Sequence, residues 1–217
     1  EQADVIILGV KPQMMLAMLT DLVEQGIDFS QKLIITVAAG LTINRYTDII
    51  GNVRIIRCMP NTPSLVGLGV SGLFCGTDQN KYSADVIEQD KEITSVMFNA
   101  VGKTVWLKQE SQIDDIAAVS GSGPAYFFLF MQRMAEKAVQ LGFDQDTANQ
   151  IVLQTALGSA QMAAQSEESF EQLRVNVTSP GGSTAEAVKV FNEKELDSIV
   201  SSALDAAVLR AKEMSKL

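Results

Sequence analysis

The segment with the strongest chemical signal runs from Asn176 to Thr184 and reads Asn-Val-Thr-Ser-Pro-Gly-Gly-Ser-Thr. It leads directly into a helix that is predicted to begin near Thr184. The N–H groups of a first helical turn are unpaired and carry partial positive charge, so they bind phosphate or carboxylate groups. Gly181 and Gly182 leave the backbone open to such an anion, and Ser183 and Thr184 add hydroxyl donors. A capped helix start without a ligand is the alternative.

A second candidate is the tripeptide Val10-Lys11-Pro12, which ends an apolar run that begins at Val5. Such a run predicts a strand buried on both faces of a parallel sheet, and proline favours the first turn of the next helix. Ligands of these sheets bind at the carboxyl ends of the strands. Lys11 is therefore placed to face a cofactor phosphate or ribose. A solvated lysine at a helix start is the alternative.

A third candidate is the turn Met59-Pro60-Asn61-Thr62-Pro63, which follows another predicted strand. Its two prolines fix φ and restrict the residues before them, so the turn is expected to be rigid. Asn61 and Thr62 can present an amide and a hydroxyl group to a ligand, or they can stabilise the turn itself.

A fourth candidate runs from Ser120 to Tyr126 and reads Ser-Gly-Ser-Gly-Pro-Ala-Tyr. Its glycines let backbone amides approach a ligand closely, and Ser122 is expected to cap a helix that begins at Pro124. Capping alone is the alternative. The helix that follows is apolar on more than one face, which is typical of a helix buried on all sides. Burial between two subunits would provide that environment.

The residue types that are missing or scarce exclude several kinds of chemistry. The 217 residues contain no histidine, which excludes Ser–His triads, Cys–His pairs and histidine-ligated metals. Cys58 and Cys75 lack metal-ligand spacing, so we expect no metal site and a reducing, cytoplasmic compartment. A formal charge of −9 disfavours nucleic acid as a partner. The most apolar helical stretch, Ala125 to Met131, is too short to span a membrane, so we expect a soluble protein.

These segments must be positioned by alternating strands and helices in the first half of the chain and by helices alone in the second. The alternation predicts a doubly wound α/β sheet of parallel strands, a Rossmann-type fold. The predicted strands are 5–10, 33–37, 53–58 and 103–107, with an extended segment at 66–76. One helix is predicted to begin at Pro12, and another to follow Thr42, which is expected to cap it. The other predicted helices cover 80–101, 124–141, 146–165, 184–193 and 195–216. The two predicted domains are residues 1–108 and 109–217.

The predicted sheet lacks the unit that normally opens a dinucleotide-binding domain. Such a domain begins with a strand, a Gly-x-Gly-x-x-Gly turn and a helix. We do not find that combination in the sequence. The order of the elements therefore predicts a chain that starts after the first βαβ unit.

Together the candidate segments resemble the pyrroline-5-carboxylate reductases, which catalyse the last step of proline biosynthesis. Five segments carry the resemblance, in family order and across nearly the whole chain: Val10–Pro12, Val37–Gly40, Arg57–Pro63, Ser120–Tyr126 and Ser179–Thr184. The resemblance implies NAD(P)H-dependent reduction of 1-pyrroline-5-carboxylate to L-proline, by hydride transfer to a cyclic imine.

The resemblance also implies how cofactor and subunits are arranged. An N-terminal Rossmann domain is implied to bind NADPH or NADH, followed by an all-α dimerisation domain that interlocks with a second subunit. Such enzymes are homodimers, often assembled further into decamers of five dimers. The residues assigned to the cofactor are Val10, Lys11, Pro12, Ala38, Ala39, Asn61 and, from the helical domain, Asn176.

The substrate site is implied in the same way. Gly181, Gly182, Ser183 and Thr184 are the implied substrate-binding residues, and backbone amides of the Ser183–Thr184 loop are implied to hold the carboxylate. Thr184 is the catalytic residue implied, with its hydroxyl near the ring nitrogen. Glu110 resembles the family's glutamate near the substrate.

Two other functions stay open. A β-hydroxyacid dehydrogenase has a similar architecture but typically relies on a catalytic lysine in the helical domain, for which Lys137 is the nearest candidate. A truncated chain that dimerises and binds carboxylates, but cannot hold a nucleotide, is the non-catalytic alternative.

Overall fold

The computed structural model describes residues 3–215, which divide into two compact units. The first unit contains the residues up to Pro124 and those from Leu204 onward, and the second contains Ala125–Ala203. The predicted domain boundary between residues 108 and 109 rests on the loss of the strand pattern, which is a different criterion from compactness. It stays a prediction.

The first unit is built on one sheet. Within residues 3–215 the strand order is β1 (Val5–Leu8), β2 (Leu33–Thr36), β3 (Arg54–Met59), β4 (Gly69–Cys75) and β5 (Gly102–Trp106). The first three strands are parallel, β4 is antiparallel to β3, and β5 is parallel to β4. The predicted Rossmann-type α/β sheet is confirmed, but it is not parallel throughout. The connection from Pro60 to Leu68 is shorter than the crossover of about a dozen residues that parallel neighbours need.

Helices cover both faces of this sheet. On one face, α1 (Pro12–Glu24) and α2 (Ile43–Ile50) contribute Met15, Leu19 and Tyr46 to an apolar core. On the other face, α3 (Ala84–Asn99) contributes Phe98. Because β1, β2 and β3 are parallel, their carboxyl ends lie at the same edge of the sheet.

The spacing Gly-x-Gly-x-x-Gly does occur in the sequence, from Gly67 to Gly72, but it does not form a phosphate-binding turn. Gly67 ends a 3₁₀ helix (Thr62–Val66), and Gly69 and Gly72 lie in β4. A dinucleotide turn leads from a strand into a helix, whereas this segment leads from a helix into a strand. It is therefore not the missing turn.

A buried thiol lies on the α3 face of the sheet. Cys58 is 2% exposed and packs in the core cluster of Ile35, Ile56 and Leu73. Burial raises the pKa of the Cys58 thiol to about 12, although a hydrogen bond with Ser71 opposes part of the rise. The thiol is therefore protonated at neutral pH.

Helices make up the rest of the described chain. After α4 (Gln112–Ile116) and a π-helical turn (Ala117–Gly121) come α5 (Gly123–Gln140), α6 (Gln145–Gln165), α7 (Phe170–Asn176), α8 (Ser183–Glu193) and α9 (Leu196–Met214). The sequence prediction missed α4, the π turn and α7, since each is too short to show helical periodicity. The predicted cap Ser122 is wrong. Its backbone is helical, with φ −85° and ψ −20°, and an N-cap is not.

The second unit carries large apolar side chains at its surface. On α5, Phe127 is 74% exposed and Phe128 is 66% exposed, and Leu129 and Phe130 are about half exposed. Burial of these side chains between two subunits stays a prediction. Within residues 3–215, no helix has the length and apolar character needed to cross a membrane.

Candidate functional site

The carboxyl edge of the sheet brings together the predicted cofactor residues of the first unit. Val10 follows β1, Ala38 and Ala39 follow β2, and Asn61 follows β3. Lys11 is the N-cap of α1, and Pro12 is its first residue, as predicted. Asn176 and the predicted substrate loop belong to the second unit.

A cavity of about 460 Å³ lies at this edge within the first unit. Ala39 and Asn61 line it, together with Asp114 and Arg210, which the sequence analysis did not identify. Burial raises the pKa of the Asp114 carboxyl, and the nearby Arg57 opposes the rise. No local sequence signal places Arg210 here, because α9 is more than a hundred residues from the strands whose edge it lines.

Gly40 lets the end of α9 approach the loop after β2. Its φ of +75° is in the left-handed region, and a Cβ at this position would lie 3.2 Å from the carbonyl oxygen of Met214. Both residues line the cavity. A side chain at Gly40 would strain the loop and push against the wall of the cavity.

The amide of Asn61 is engaged inside the protein. Its Nδ2 donates to the carbonyl oxygen of Ser120 at 3.0 Å, and its Oδ1 accepts from the N–H of Val70 at 2.8 Å. Asn61 therefore ties the Pro-Asn-Thr-Pro turn to the π-helical turn, and both line the cavity. A direct contact with the cofactor stays a prediction.

Glu110, the predicted substrate residue, makes two internal contacts. Its Oε1 accepts from the backbone N–H of Ile43 at 2.7 Å and from Nη1 of Arg57 at 2.7 Å. Ile43 is the first residue of α2, whose N-cap Thr42 makes no side-chain capping bond. The helix after Thr42 is confirmed, but capping by the Thr42 hydroxyl is wrong. The carboxylate of Glu110 binds the start of the helix instead.

The loop between β2 and α2 is also held at its other end. The hydroxyls of Thr36 and Tyr46 share a hydrogen bond of 2.6 Å, and the N–H of Ala38 donates to Oγ1 of Thr36 at 3.4 Å. Thr36 and Tyr46 are both fully buried. Ala38 and Ala39 thus lie in a loop whose two ends are fixed by hydrogen bonds to polar side chains, Thr36 at its start and Glu110 at its end.

The predicted substrate loop connects α7 and α8 in the second unit. Gly181 has φ +72°, a conformation that favours glycine, and Gly182 is the N-cap of α8 without a side-chain capping bond. Ser183 is the first helical residue, and Thr184 the second. Asn176 lies at the end of α7, where its amide bonds to Glu168 and Gln172. The start of α8 therefore has no side-chain cap, and its binding of an anion stays a prediction.

The carboxyl edge of the sheet fits part of a nicotinamide dinucleotide. The start of α1 combines the N–H of Gln13 with the cationic Lys11, since Pro12 has no N–H and the N–H of Met14 donates to the carbonyl oxygen of Lys11. These groups suit a phosphate or a ribose. The small residues Ala39 and Gly40 leave room for a planar ring in the cavity.

Comparison with known proteins agrees with this geometry. A family model described as pyrroline-5-carboxylate reductase dimerisation matches residues 110–214. The pyrroline-5-carboxylate reductase of Vibrio alginolyticus is 47% identical over 218 residues, covering 100% of this chain and 77% of the relative. The chain belongs to the pyrroline-5-carboxylate reductase family. The resemblance inferred from the five sequence motifs is confirmed.

Solved structures of pyrroline-5-carboxylate reductases show the same fold. The reductase of Coxiella burnetii aligns with a TM-score of 0.89 and 42% identity, covering 100% of this chain and 77% of that one. The Plasmodium falciparum reductase, solved with NADP bound, aligns with a TM-score of 0.83 and 31% identity, covering 98% of this chain and 78% of that one. The α/β sheet followed by a helical dimerisation region is therefore the family's fold.

Proposed function

We propose that this chain catalyses the NAD(P)H-dependent reduction of 1-pyrroline-5-carboxylate to L-proline. The observation that carries the proposal is the 47% identity with a pyrroline-5-carboxylate reductase across the whole chain. The reaction delivers a hydride to the imine carbon of a cyclic substrate and a proton to its nitrogen. It is the last step of proline biosynthesis.

The carboxyl edge of the sheet is the cofactor site in this proposal. Lys11, at the start of α1, faces the phosphate or ribose, and Pro12 fixes the first turn of that helix. Ala38 and Ala39 border the cofactor with Val10, and Asn61 and Asn176 complete the set. NADPH or NADH supplies the hydride when it is bound. The protein's residues bind the cofactor and orient it.

The start of α8 is the substrate site in this proposal. Backbone N–H groups at Ser183 and Thr184 hold the substrate carboxylate, which suits the partial positive charge of a helix start. Gly181 and Gly182 leave the backbone open to it, although the N–H of Gly182 itself donates to the carbonyl oxygen of Ser179 at 3.0 Å. The hydroxyl of Thr184 hydrogen-bonds the ring nitrogen, and Glu110 faces the substrate. A protonated imine needs no strong general acid, so the absence of histidine is compatible with the chemistry. Orienting two bound molecules contributes up to about 7–11 kcal/mol in favourable systems.

We propose a homodimer as the working form, and a decamer of five such dimers as its further assembly. The match of residues 110–214 to a dimerisation model and the exposed aromatic side chains of α5 support the dimer. We also propose a cytoplasmic location, since Cys58 and Cys75 are free thiols, as in a reducing compartment.

The experiment is an assay of the purified full-length protein with 1-pyrroline-5-carboxylate. We expect oxidation of NADPH or NADH and the formation of proline, which amino-acid analysis detects. Oxidation of a β-hydroxyacid with NAD(P)⁺ is measured in parallel, because it tests the alternative function of a β-hydroxyacid dehydrogenase. No cofactor oxidation with the imine, or faster turnover of the hydroxyacid, would overturn the proposal. Sedimentation that shows only monomer at micromolar concentration would overturn the dimer.

A further inference from the structure

The carboxylate of Glu110 caps the N-terminus of α2, although Glu110 is far from this helix in sequence. It accepts the N–H of Ile43, 67 positions away in sequence, at the point where the N-cap Thr42 gives no capping bond. An anion at this place is stabilised by the unpaired N–H groups of the first helical turn. The position of α2 therefore depends on where the Glu110 carboxylate is held.

Arg57 holds that carboxylate. Its Nη1 lies 2.7 Å from Oε1 of Glu110, and its side chain is 3% exposed. Among the described residues its Nη2 has no hydrogen-bond partner. A buried guanidinium with an unused nitrogen stabilises the fold poorly, since an apolar residue of similar volume is often as good or better. The main contribution of Arg57 is therefore expected in the placement of the groups that it contacts, and not in the free energy of unfolding.

The group positioned in this way is the loop from Val37 to Leu41, which carries Ala38 and Ala39 and is followed by α2. At the start of the loop, the Thr36 hydroxyl accepts the N–H of Ala38 and bonds to Tyr46 in α2. At the end of the loop, α2 is bound to Glu110 and, through it, to Arg57. A shift of α2 would move both ends.

We propose that Arg57 is a positioning residue for cofactor binding. It holds the Glu110 carboxylate against the first N–H of α2 and so fixes the loop that carries Ala38 and Ala39. The inference rests on the proposed function, because it takes this loop as part of the NAD(P)H site. It adds a residue that touches neither cofactor nor substrate.

The same strand offers a matched control. Arg54, at the other end of β3, pairs with the buried Asp90 through Nη1 at 2.9 Å and donates from Nη2 to the carbonyl oxygen of Gln31. This pair bonds to no residue of the loop. Arg54→Met and Arg57→Met thus make the same chemical change on one strand, on opposite faces of the sheet.

The test measures NADPH dissociation constants in the absence of substrate, together with kcat and KM, in the full-length protein. Apparent affinity falls by the fraction of protein in the binding-competent conformation, so a loop that is correctly placed about a tenth of the time weakens NADPH binding about tenfold, which we expect for Arg57→Met. Arg54→Met should change it less than about twofold, because the Arg54 pair bonds to no residue of the loop even though its loss lowers the stability of the fold. Arg57→Lys should restore most of the binding, because only one nitrogen of Arg57 is used.

An unchanged NADPH dissociation constant in Arg57→Met would overturn the inference, as would an equal loss in Arg54→Met. Should Arg57→Met fail to fold, Glu110→Leu gives the decision, since it keeps most of the volume and removes the oxygen that accepts from Ile43 and Arg57. An unchanged NADPH dissociation constant in that variant would overturn the inference in the same way. Measuring NADPH alone separates this role from any contact of Glu110 with the substrate. A wild-type protein that binds NADPH but does not reduce the imine would refute the proposed function and leave this inference testable.

Discussion

The two arginine–carboxylate pairs on β3 contain the same groups but differ in what else the carboxylate binds. Asp90 is 1% exposed, and its Oδ2 has no partner among the described residues. Glu110 is 28% exposed, and its bonded oxygen also accepts the first N–H of α2. The Arg54 pair lies between a strand and α3, whereas the Arg57 pair is tied to the loop at the proposed cofactor site. What a buried ion pair contributes to the protein therefore depends on which further group its carboxylate binds, which for Glu110 is the first N–H of α2.

The largest expected effect on stability comes from the pair that is remote from the site. Arg54→Met leaves the Asp90 carboxylate buried without its cation, and breaking a buried pair in this way costs about 3 kcal/mol. Arg57→Met should cost less, because water reaches the more exposed carboxylate of Glu110. Urea unfolding measures both free energies. The surface variant Arg133→Met, which loses an exposed pair with Glu136, is the control. Equal losses for the two buried pairs would remove this distinction.

Thr184→Ala tests whether weaker NADPH binding is specific to variants at Arg57. Thr184 is proposed to act on the substrate, so its loss should affect turnover and not the binding of NADPH. A hydrogen bond to a charged group contributes about 1.5–3 kcal/mol, so we expect kcat to fall about tenfold or more. The NADPH dissociation constant should stay at the wild-type value. Thr178→Ala is the control, because that hydroxyl donates to the carbonyl oxygen of Arg174. A wild-type kcat in Thr184→Ala would remove Thr184 from the mechanism.

Tyr46→Phe examines the other end of the loop that Arg57 is proposed to fix. The change removes the hydroxyl bonded to Thr36 and keeps the buried ring, at a cost of about 1 kcal/mol. We expect a smaller rise in the NADPH dissociation constant than in Arg57→Met. Tyr82→Phe is the control, because its hydroxyl bonds to Ser30 and Asn52 away from the loop. A larger rise in the NADPH dissociation constant for Tyr46→Phe than for Arg57→Met would show that the Thr36–Tyr46 bond, and not Arg57, mainly fixes the loop.

The smallest effect is a pH dependence at the remote pair. Burial raises the pKa of the Asp90 carboxyl above its ordinary 3.8, and Arg54 offsets only part of the rise. The folded state therefore holds this proton more tightly than the unfolded chain does. The associated stability is present below pH 3.8 and is lost as the pH rises through the folded-state pKa. Relative to Asp90→Asn, the wild type should lose stability as the pH rises from about 4. Urea midpoints across this range measure the difference, and parallel curves would contradict it.

Much of the fold follows from local patterns in the sequence. The apolar run before Val10 and the proline after Lys11 predict β1 and the start of α1 correctly. The pair Gly181-Gly182 correctly predicts the start of α8, because glycine can adopt the φ of +72° found at Gly181. These signals lie within a few neighbouring residues, which is where propensity and turn chemistry act.

The contacts at the candidate site depend on residues that are far apart in sequence. Nothing near Glu110 indicates that its carboxylate binds Ile43, 67 positions away, and Arg57, 53 positions away, since such contacts exist only after folding. The antiparallel direction of β4 and the contribution of Arg210 to the cavity are hidden for the same reason. The π turn is too short to produce a pattern of its own.

The buried thiol of Cys58 can report the opening of the sheet through its rate of alkylation. A thiol reacts with alkylating reagents as the thiolate, and a pKa of about 12 keeps that form scarce at neutral pH. At 2% exposure the sulfur is also shielded from the reagent. Alkylation of Cys58 is therefore limited by opening of the strands around it, and the labelling rate follows the kinetics of unfolding in the first unit. Cys75, which is only partly buried, marks the reagent's activity in the same sample.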